Sequence, residues 1–234
     1  MDGMLQFLLL QMNDALFPIG GYSHSYGLET YIQKGLVHNP STAADYLRAS
    51  LRESFLYGDL LCARLAWERG TAGDCAGLLS LEEIACTSKS PRELREAANK
   101  IGSRFVKTVA PLLPVCGCDN TFLSLYTALL TDNGNVPSHA AAYGACCGAI
   151  GIPKDAAMRA FLYAQASAMV TCCVKTVPLS QTAGQRLLTA LFGLLEDLLE
   201  DLELLEEDDL YRTAPGFDIR AMEHETLYSR LYMS

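Results

Sequence analysis

The stretch from residue 17 to residue 33, FPIGGYSHSYGLETYIQ, is the most specific feature of this chain. Pro18 fixes its own φ angle and favours an extended conformation of Phe17. Gly20 and Gly21 permit backbone angles that are closed to other residues. The stretch therefore predicts a tight turn that leads directly into a short helix.

The start of this short helix is unusually polar and aromatic for so apolar a protein. Ser23 or Ser25 is placed to accept a hydrogen bond from a free N–H group as the helix cap. The helix is expected to stop at Gly35 in a left-handed conformation, with Leu36 folding back as its apolar contact. The plain interpretation is a capped helix with His24 satisfied in a turn, and spacing alone does not decide between this and a functional site.

Two enzyme classes are excluded because their motifs are missing. Residues 21–25, GYSHS, lack the second glycine of the G-x-S-x-G nucleophile motif, and no strand pattern precedes them. The phosphate-binding motif G-x-x-x-x-G-K-[ST] is absent as well, so the chain is not expected to bind a nucleotide by itself.

The net charge of −9 has one main source. The run from Glu196 to Asp209 contains nine acidic residues and no Lys or Arg, and the rest of the chain balances 18 acidic against 18 basic residues. Because no basic surface is available for phosphates, nucleic acid is excluded as a partner. The leucines of the same run favour a core helix with a solvated acidic face, or alternatively a partner or dimer interface.

Composition indicates a folded chain that is not embedded in a membrane. Half of the residues are hydrophobic, no apolar run approaches the length of a membrane span, and the N-terminus lacks the basic region of a signal peptide. Nine cysteines are an odd number, and Cys146-Cys147 and Cys172-Cys173 are adjacent pairs that cannot readily bridge each other. We therefore expect reduced thiols that fill the core, in a cytoplasmic protein.

Helical spacing dominates the sequence, and prolines and glycines mark most of the helix ends. An apolar stripe follows Asn39-Pro40-Ser41 at close to heptad spacing and comprises Ala44, Leu47, Leu51, Phe55, Gly58, Cys62 and Leu65. The tetrapeptide at residues 90–93, SPRE, predicts a capping box with proline at the first helical position. Pro178 is predicted to begin the last long helix, which is leucine-rich, then acidic, and ends near Leu210.

Small residues concentrate in the middle of the chain. Residues 140–148 and 164–168 are mostly alanine, glycine, serine and cysteine, which allow helices to approach closely. They predict the tightly packed centre of a helical domain. Since no internal repeat and no long linker is present, the sequence predicts one all-α domain, a single helical bundle of about ten helices that spans residues 1–234.

Three segments together carry a resemblance to a known family. Besides the N-terminal stretch, they are residues 174–185, which begin VKTVPLSQ and continue to Gly184-Gln185, and residues 221–231, AMEHETLYSRL. In this order they resemble the UreF family of urease accessory proteins, whose members carry a close variant of F-P-x-G-x-x-x-H-S-x-G-L-E. The tail resembles the Helicobacter-type members most closely.

The resemblance implies a non-catalytic scaffold without a cofactor. In the family the GTPase is a separate protein, UreG, and UreF docks it together with UreH, also called UreD. The expected function is to couple the nucleotide state of UreG to nickel insertion into apo-urease, with the chain acting as a homodimer.

The resemblance also places the expected functional residues. The face offered to UreG comprises Tyr22, His24, Ser25, Glu29 and Lys175. The motif positions that support this face are Pro18, Gly20, Gly27, Pro178, Gln181 and Gln185. The tail, residues 215–234, is expected to bind UreH through His224, Tyr228, Arg230, Leu231 and Tyr232.

The tail carries too many large apolar residues for a free terminus. Either it packs on its own domain or a partner buries it, and the resemblance favours the partner, with Arg230 helping to hold the docked arrangement. Many relatives have arginine before the His-Glu pair where this chain has Glu223. No partner carboxylate is therefore assigned to that position.

A nickel-binding carrier is the alternative function. Its candidate ligands are His24, His38, His139, His224, Cys116, Cys118 and the adjacent cysteine pairs, and none has the C-x-x-C or H-x-x-x-H spacing of a metal site. Cys116-Gly117-Cys118 is the segment best suited to chelation. We predict no high-affinity nickel site within one chain.

Overall fold

The structure, a computed structural model, describes residues 1–21, 24–212 and 214–233. Within these residues it contains twelve α-helices and no β-strand, which confirms the predicted all-α, single-bundle fold. The helices are α1 (Gly3–Met12), α2 (Leu28–Gln33), α3 (Pro40–Ala49), α4 (Leu61–Ala72), α5 (Cys75–Ser88), α6 (Arg92–Val109), α7 (Thr121–Asp132), α8 (His139–Ala149), α9 (Lys154–Thr176), α10 (Gln181–Ala190), α11 (Phe192–Leu204) and α12 (Pro215–His224).

The centre of the bundle is the crossing of α4 and α8, where two backbones meet. A methyl group added at Gly144 would collide with the carbonyl oxygen of Ala63, and one added at Gly148 would collide with that of Trp67. Only glycine leaves the space for this approach. The prediction that small residues form the packed centre is confirmed for residues 140–148, all of which are buried. It is wrong for most of residues 164–168, where only Ala166 is buried and its neighbours are partly exposed.

A π-helical stretch, Ser50–Leu60, joins α3 to α4, so that residues 40–72 form one continuous rod. Its wider turn keeps Leu47, Leu51 and Phe55, which are four residues apart, along one face. These three side chains are buried, as are most of the predicted stripe; Ala44 is only half-buried.

The predicted helix ends at Asn39 and Gly35 are confirmed. The side chain of Asn39 accepts a hydrogen bond from the amide of Thr42 at 3.0 Å and caps α3. Gly35 has a φ of 70°, and the amide of Leu36 donates to the carbonyl of Tyr31 at 2.9 Å, which closes α2. The side chain of Leu36 is half exposed, however, and Val37 packs inward in its place.

The predicted last long helix is wrong in three respects. It begins at Gln181 with Ser180 as its cap, not at Pro178, and it bends at the buried Leu191 into α10 and α11. It also ends at Leu204, before the acidic run is complete. Acidic side chains at a helix C-terminus oppose the helix dipole, so residues 207–209 form a 3₁₀ turn instead.

The predicted capping box at residues 90–93 is also wrong. Helix α6 begins at Arg92, Pro91 stands at the N-cap position, and no side chain caps the helix. Glu93, which the pattern assigned to the cap, is hydrogen-bonded to the C-terminal tail instead.

Helix α9 alone among the described residues is long and apolar enough to cross a membrane by length and composition, a test that the core helix of a bundle also passes. Of its most apolar window, 44% is buried inside the bundle. The helix carries charged residues at both ends and packs against α2, α3, α4, α8, α10 and α11.

Candidate functional site

The N-terminal motif forms a loop that lies against α6. Phe17 is buried and its ring meets that of Phe105 edge-on, with the centroids 6.1 Å apart. Gly20 has a φ of 84°, and a methyl group at this position would lie 2.8 Å from the guanidinium of Arg104. The loop therefore needs glycine at position 20, while Pro18 is exposed at its outer edge.

The entry into α2 differs from the prediction. Tyr22 and Ser23 lie outside the described residues. Ser25 does not cap α2, because Gly27 stands before the first helical residue and no side chain makes a cap bond. Gly27 has a φ of 82°, and a methyl group there would lie 3.1 Å from the Cα atom of Ala221. Gly27 is thus the point at which α12 packs directly on the motif.

Glu29 is the main receptor for the C-terminal tail. Its carboxylate is buried and accepts hydrogen bonds from the amides of Leu231 at 2.7 Å and Tyr232 at 2.9 Å. The Nε2 atom of His224 lies 3.1 Å from the same carboxylate. One acidic side chain of the motif therefore holds three groups of the tail.

His224 is completely buried between two carboxylates. Its Nδ1 atom lies 2.7 Å from Glu93 of α6, on the side opposite its contact with Glu29. Arg230 donates to the other oxygen of Glu93, also at 2.7 Å. We call the four residues Glu29, Glu93, His224 and Arg230 the tail clamp.

The tail has an inner and an outer face. The inner face packs on the chain's own domain, which is the first of the two alternatives for burial of the tail. It consists of Ala221, His224 and Tyr232. The outer face is exposed and comprises Ile219, Met222, Tyr228, Leu231 and Met233. Burial of the outer face by a partner stays a prediction.

The motif residues assigned to a partner face are buried in this arrangement. His24, Ser25 and Glu29 are all buried. Burial, followed by the charges of Lys100 and Arg104, lowers the pKa of His24 and favours its neutral form, although Glu93 acts in the opposite direction. In this structure the three residues lie under the protein surface and do not form part of it. Their direct contact with a partner stays a prediction.

Lys175 lies beside this loop. The thiol of Cys172, one turn earlier on α9, donates to the carbonyl oxygen of His24 at 3.4 Å, which fixes the last turn of α9 under the loop. Lys175 itself is exposed. Gln181 and Gln185 are exposed one turn apart on α10, beyond the turn that contains Pro178. The first motif segment thus contacts the turn of α9 that directly precedes the second segment.

The chain is similar in sequence to known proteins along most of its length. The UreF family model matches residues 37–192. The chain is also similar to the urease accessory protein UreF of Lachnoclostridium phytofermentans, with 33% identity over 226 residues, which is 97% of both chains. The chain belongs to the UreF family. Membership gives it a role in urease maturation, as part of a maturation complex. The Helicobacter-type affiliation stays a prediction.

A second surface of this UreF-family chain is a wide apolar groove between α1, α9 and α11. It has a volume of about 860 Å³, and the small side chains of Ala160, Ala164 and Ala168 form its floor. Arg159 binds Glu196 at its edge, and Leu199 of the acidic helix lines it. Leu198 and Leu202 are buried in the core, and the buried Leu195 lines the groove together with Leu199, so α11 is a core helix with one side available for an interface.

The candidate metal ligands are dispersed. His139 lies against the rings of Phe105 and Phe161, and burial lowers its pKa to about 4. Both adjacent cysteine pairs are buried and burial raises their pKa values, which confirms that they fill the core. Cys116 and Cys118 are half-buried. In the part of the chain that the structure describes, no three His, Cys, Asp or Glu side chains converge in a group that could hold a metal ion.

Sequence reasoning missed Glu93 as part of this site. Its position three residues after Ser90 fits a capping box equally well, and its real partners are more than 130 residues away in the chain. No local signal distinguishes these two uses of a glutamate. Only the folded arrangement of α2, α6 and α12 does.

Proposed function

We propose that this UreF-family chain is a non-catalytic cytoplasmic scaffold for urease maturation. It binds UreH (UreD) through the tail, residues 215–234, and UreG through the face that carries Tyr22 and Lys175. Holding both partners, it couples the GTP state of UreG to the insertion of nickel into apo-urease. It acts as a homodimer, and the groove between α1, α9 and α11 is the apolar surface best suited to a second copy.

The two-faced tail is the observation that carries this proposal. Its inner face is fixed by buried hydrogen bonds to Glu29 and Glu93, so the backbone of residues 224–232 is held in one shape. Its outer face presents Tyr228, Leu231 and Met233 to solvent. A row of large apolar side chains on a rigid support is typical of a surface that a partner covers.

Removal of the outer face alone tests this assignment. In the double variant Tyr228→Ser and Leu231→Ser the exposed side chains change, while the amide of residue 231 still donates to Glu29. We expect co-purification with UreH to be lost and the helical fold, measured by circular dichroism, to stay intact.

The matched control removes two equally exposed apolar side chains elsewhere, in the double variant Val115→Ser and Leu125→Ser. It should retain UreH. If the outer-face variant bound UreH as tightly as the control, the tail would not be the docking element, and the UreH surface would lie on the helical body.

A further inference from the structure

In the tail clamp, both nitrogens of one histidine ring contact a carboxylate. Two N···O contacts, at 2.7 Å and 3.1 Å, join the imidazole of His224 to two carboxylates. A carboxylate only accepts hydrogen bonds, so each contact needs a proton of its own. A neutral imidazole carries one N–H group, and therefore the docked arrangement requires the doubly protonated ring.

From this geometry we propose that His224 is a proton-dependent latch, which holds the tail on its domain when protonated and releases it when it loses a proton. Release of the latch removes the rigid support of the outer face. If the outer face binds UreH, as the proposed function holds, release also removes the surface offered to UreH.

Charge balance in the clamp supports the same conclusion. With His224 protonated, two positive groups, His224 and Arg230, face the two negative groups Glu29 and Glu93. Loss of the proton leaves a buried carboxylate without its counter-charge and sets a lone pair of the ring against a lone pair of an oxygen. An unpaired buried charge is strongly destabilising, whereas the released tail exposes both groups to water.

The other ionisable groups around the clamp lie on the loop, on α9 and at the surface of α12. On the loop, burial lowers the pKa of His24 and favours its neutral form. On α9, burial raises the pKa of the Cys172 thiol, which lies next to Glu29 and Tyr232. At the surface of α12, Glu223 pairs with Lys34 and Arg220, and Glu225 pairs with Arg92.

The linkage has a definite sign. An imidazole in a solvated peptide titrates near pH 6.5, at about the unperturbed value for histidine. Above this pH the released tail holds one proton fewer than the docked tail, so the docking constant falls by up to about tenfold per pH unit.

Limited proteolysis of the full chain at pH 6 to 9 measures this effect. The rate of chymotrypsin cleavage at Leu231 and Tyr232 is divided by the rate for a free peptide of residues 215–234 at the same pH, which corrects for the pH dependence of the protease. In the wild type we expect protection to fall by up to tenfold per pH unit above about pH 6.5.

Two variants separate the latch from simple weakening of the tail. His224→Gln should lose the pH slope. Arg230→Gln should lower protection at every pH and keep the slope, because His224 remains. A wild-type ratio that is flat from pH 6 to 9, or a slope that survives in His224→Gln, would overturn the proposal.

Nitrogen-15 NMR of the wild-type ring gives a second readout that needs no variant. At pH 7 both ring nitrogens of His224 should show the chemical shifts of an imidazolium, and the shifts of a neutral tautomer would contradict the latch. Since neither experiment contains UreH, failure of the latch and failure of UreH binding are observed separately.

Discussion

Glu82 is a buried acidic residue that links α5 to α7 and to the start of α8. Its side chain, on α5, accepts hydrogen bonds from the hydroxyl of Tyr126 and, at 2.9 Å, from the amide of Ser138 at the start of α8. Burial raises the pKa of Glu82 to about 7, although these hydrogen bonds act in the opposite direction. The native state therefore favours the protonated form, and ionisation of Glu82 costs stability.

Glu82→Gln should remove this pH dependence. A carboxyl with a pKa of about 7 in the folded chain and 4.5 unfolded contributes stability that is complete below pH 4.5 and is lost as the pH rises through 7. The unfolding free energy of the wild type, relative to the variant, should fall by about 3 kcal/mol over that range.

Urea denaturation at pH 4.5 and pH 8 measures this difference. The exposed neighbour Glu83→Gln is the control and should follow the wild type at both pH values. Equal pH dependence of the wild type and Glu82→Gln would show that folding does not raise the pKa of Glu82.

Residue-level contacts divide into those that sequence predicts and those that it does not. The resemblance pointed to Glu29, His224 and Arg230 as functional residues, and the structure brings all three together. Their roles as a clamp were not predicted, because Glu29 and His224 are separated by 195 positions and no periodic pattern connects them. Glu93 was assigned to a local cap for the same reason.

At the scale of helices, backbone chemistry explains where prediction succeeded. Ends set by proline, glycine or asparagine, such as those at Asn39 and Gly35, depend on local conformational limits that can be read from a few residues. The bend at Leu191 contains neither proline nor glycine, and its cause is packing of a leucine that is completely buried. Tertiary packing of this kind leaves no local signal.

The α4–α8 crossing gives a prediction at this scale. Gly144→Ala places a methyl group against the carbonyl oxygen of Ala63, where neither backbone can move without separating the two helices. We expect a loss of about 1–3 kcal/mol in unfolding free energy, as is usual for overpacking. Thermal unfolding should show a midpoint lowered by several degrees.

Gly193→Ala is the matched control for this substitution. Gly193 is exposed on α11, and a methyl group there would meet nothing within 4 Å. Alanine should stabilise this helix by about 0.5–1 kcal/mol because it loses less backbone entropy than glycine. Equal effects of the two substitutions would contradict the close approach of α4 and α8.

At the scale of the whole molecule, the chain presents three surfaces around one helical core. They are the outer face of the tail, the edge of α9 that carries Lys175 beside the N-terminal loop, and the groove between α1, α9 and α11. The all-α class and the packed centre followed from sequence. The groove did not, because it depends on how three helices far apart in the chain are placed.

The proposed function requires that one UreF-family chain holds UreH and UreG at the same time on different surfaces. Native mass spectrometry of the chain mixed with UreH, UreG and a GTP analogue tests it most directly. We expect a complex that contains all three proteins. Lys175→Ala should lose UreG and retain UreH.

Lys154→Ala is the control in this measurement, since Lys154 lies at the opposite end of α9, about 30 Å away at the rise of an α-helix. It should keep both partners. Mutual displacement of UreH and UreG, or a complete complex formed by Lys175→Ala, would contradict the account.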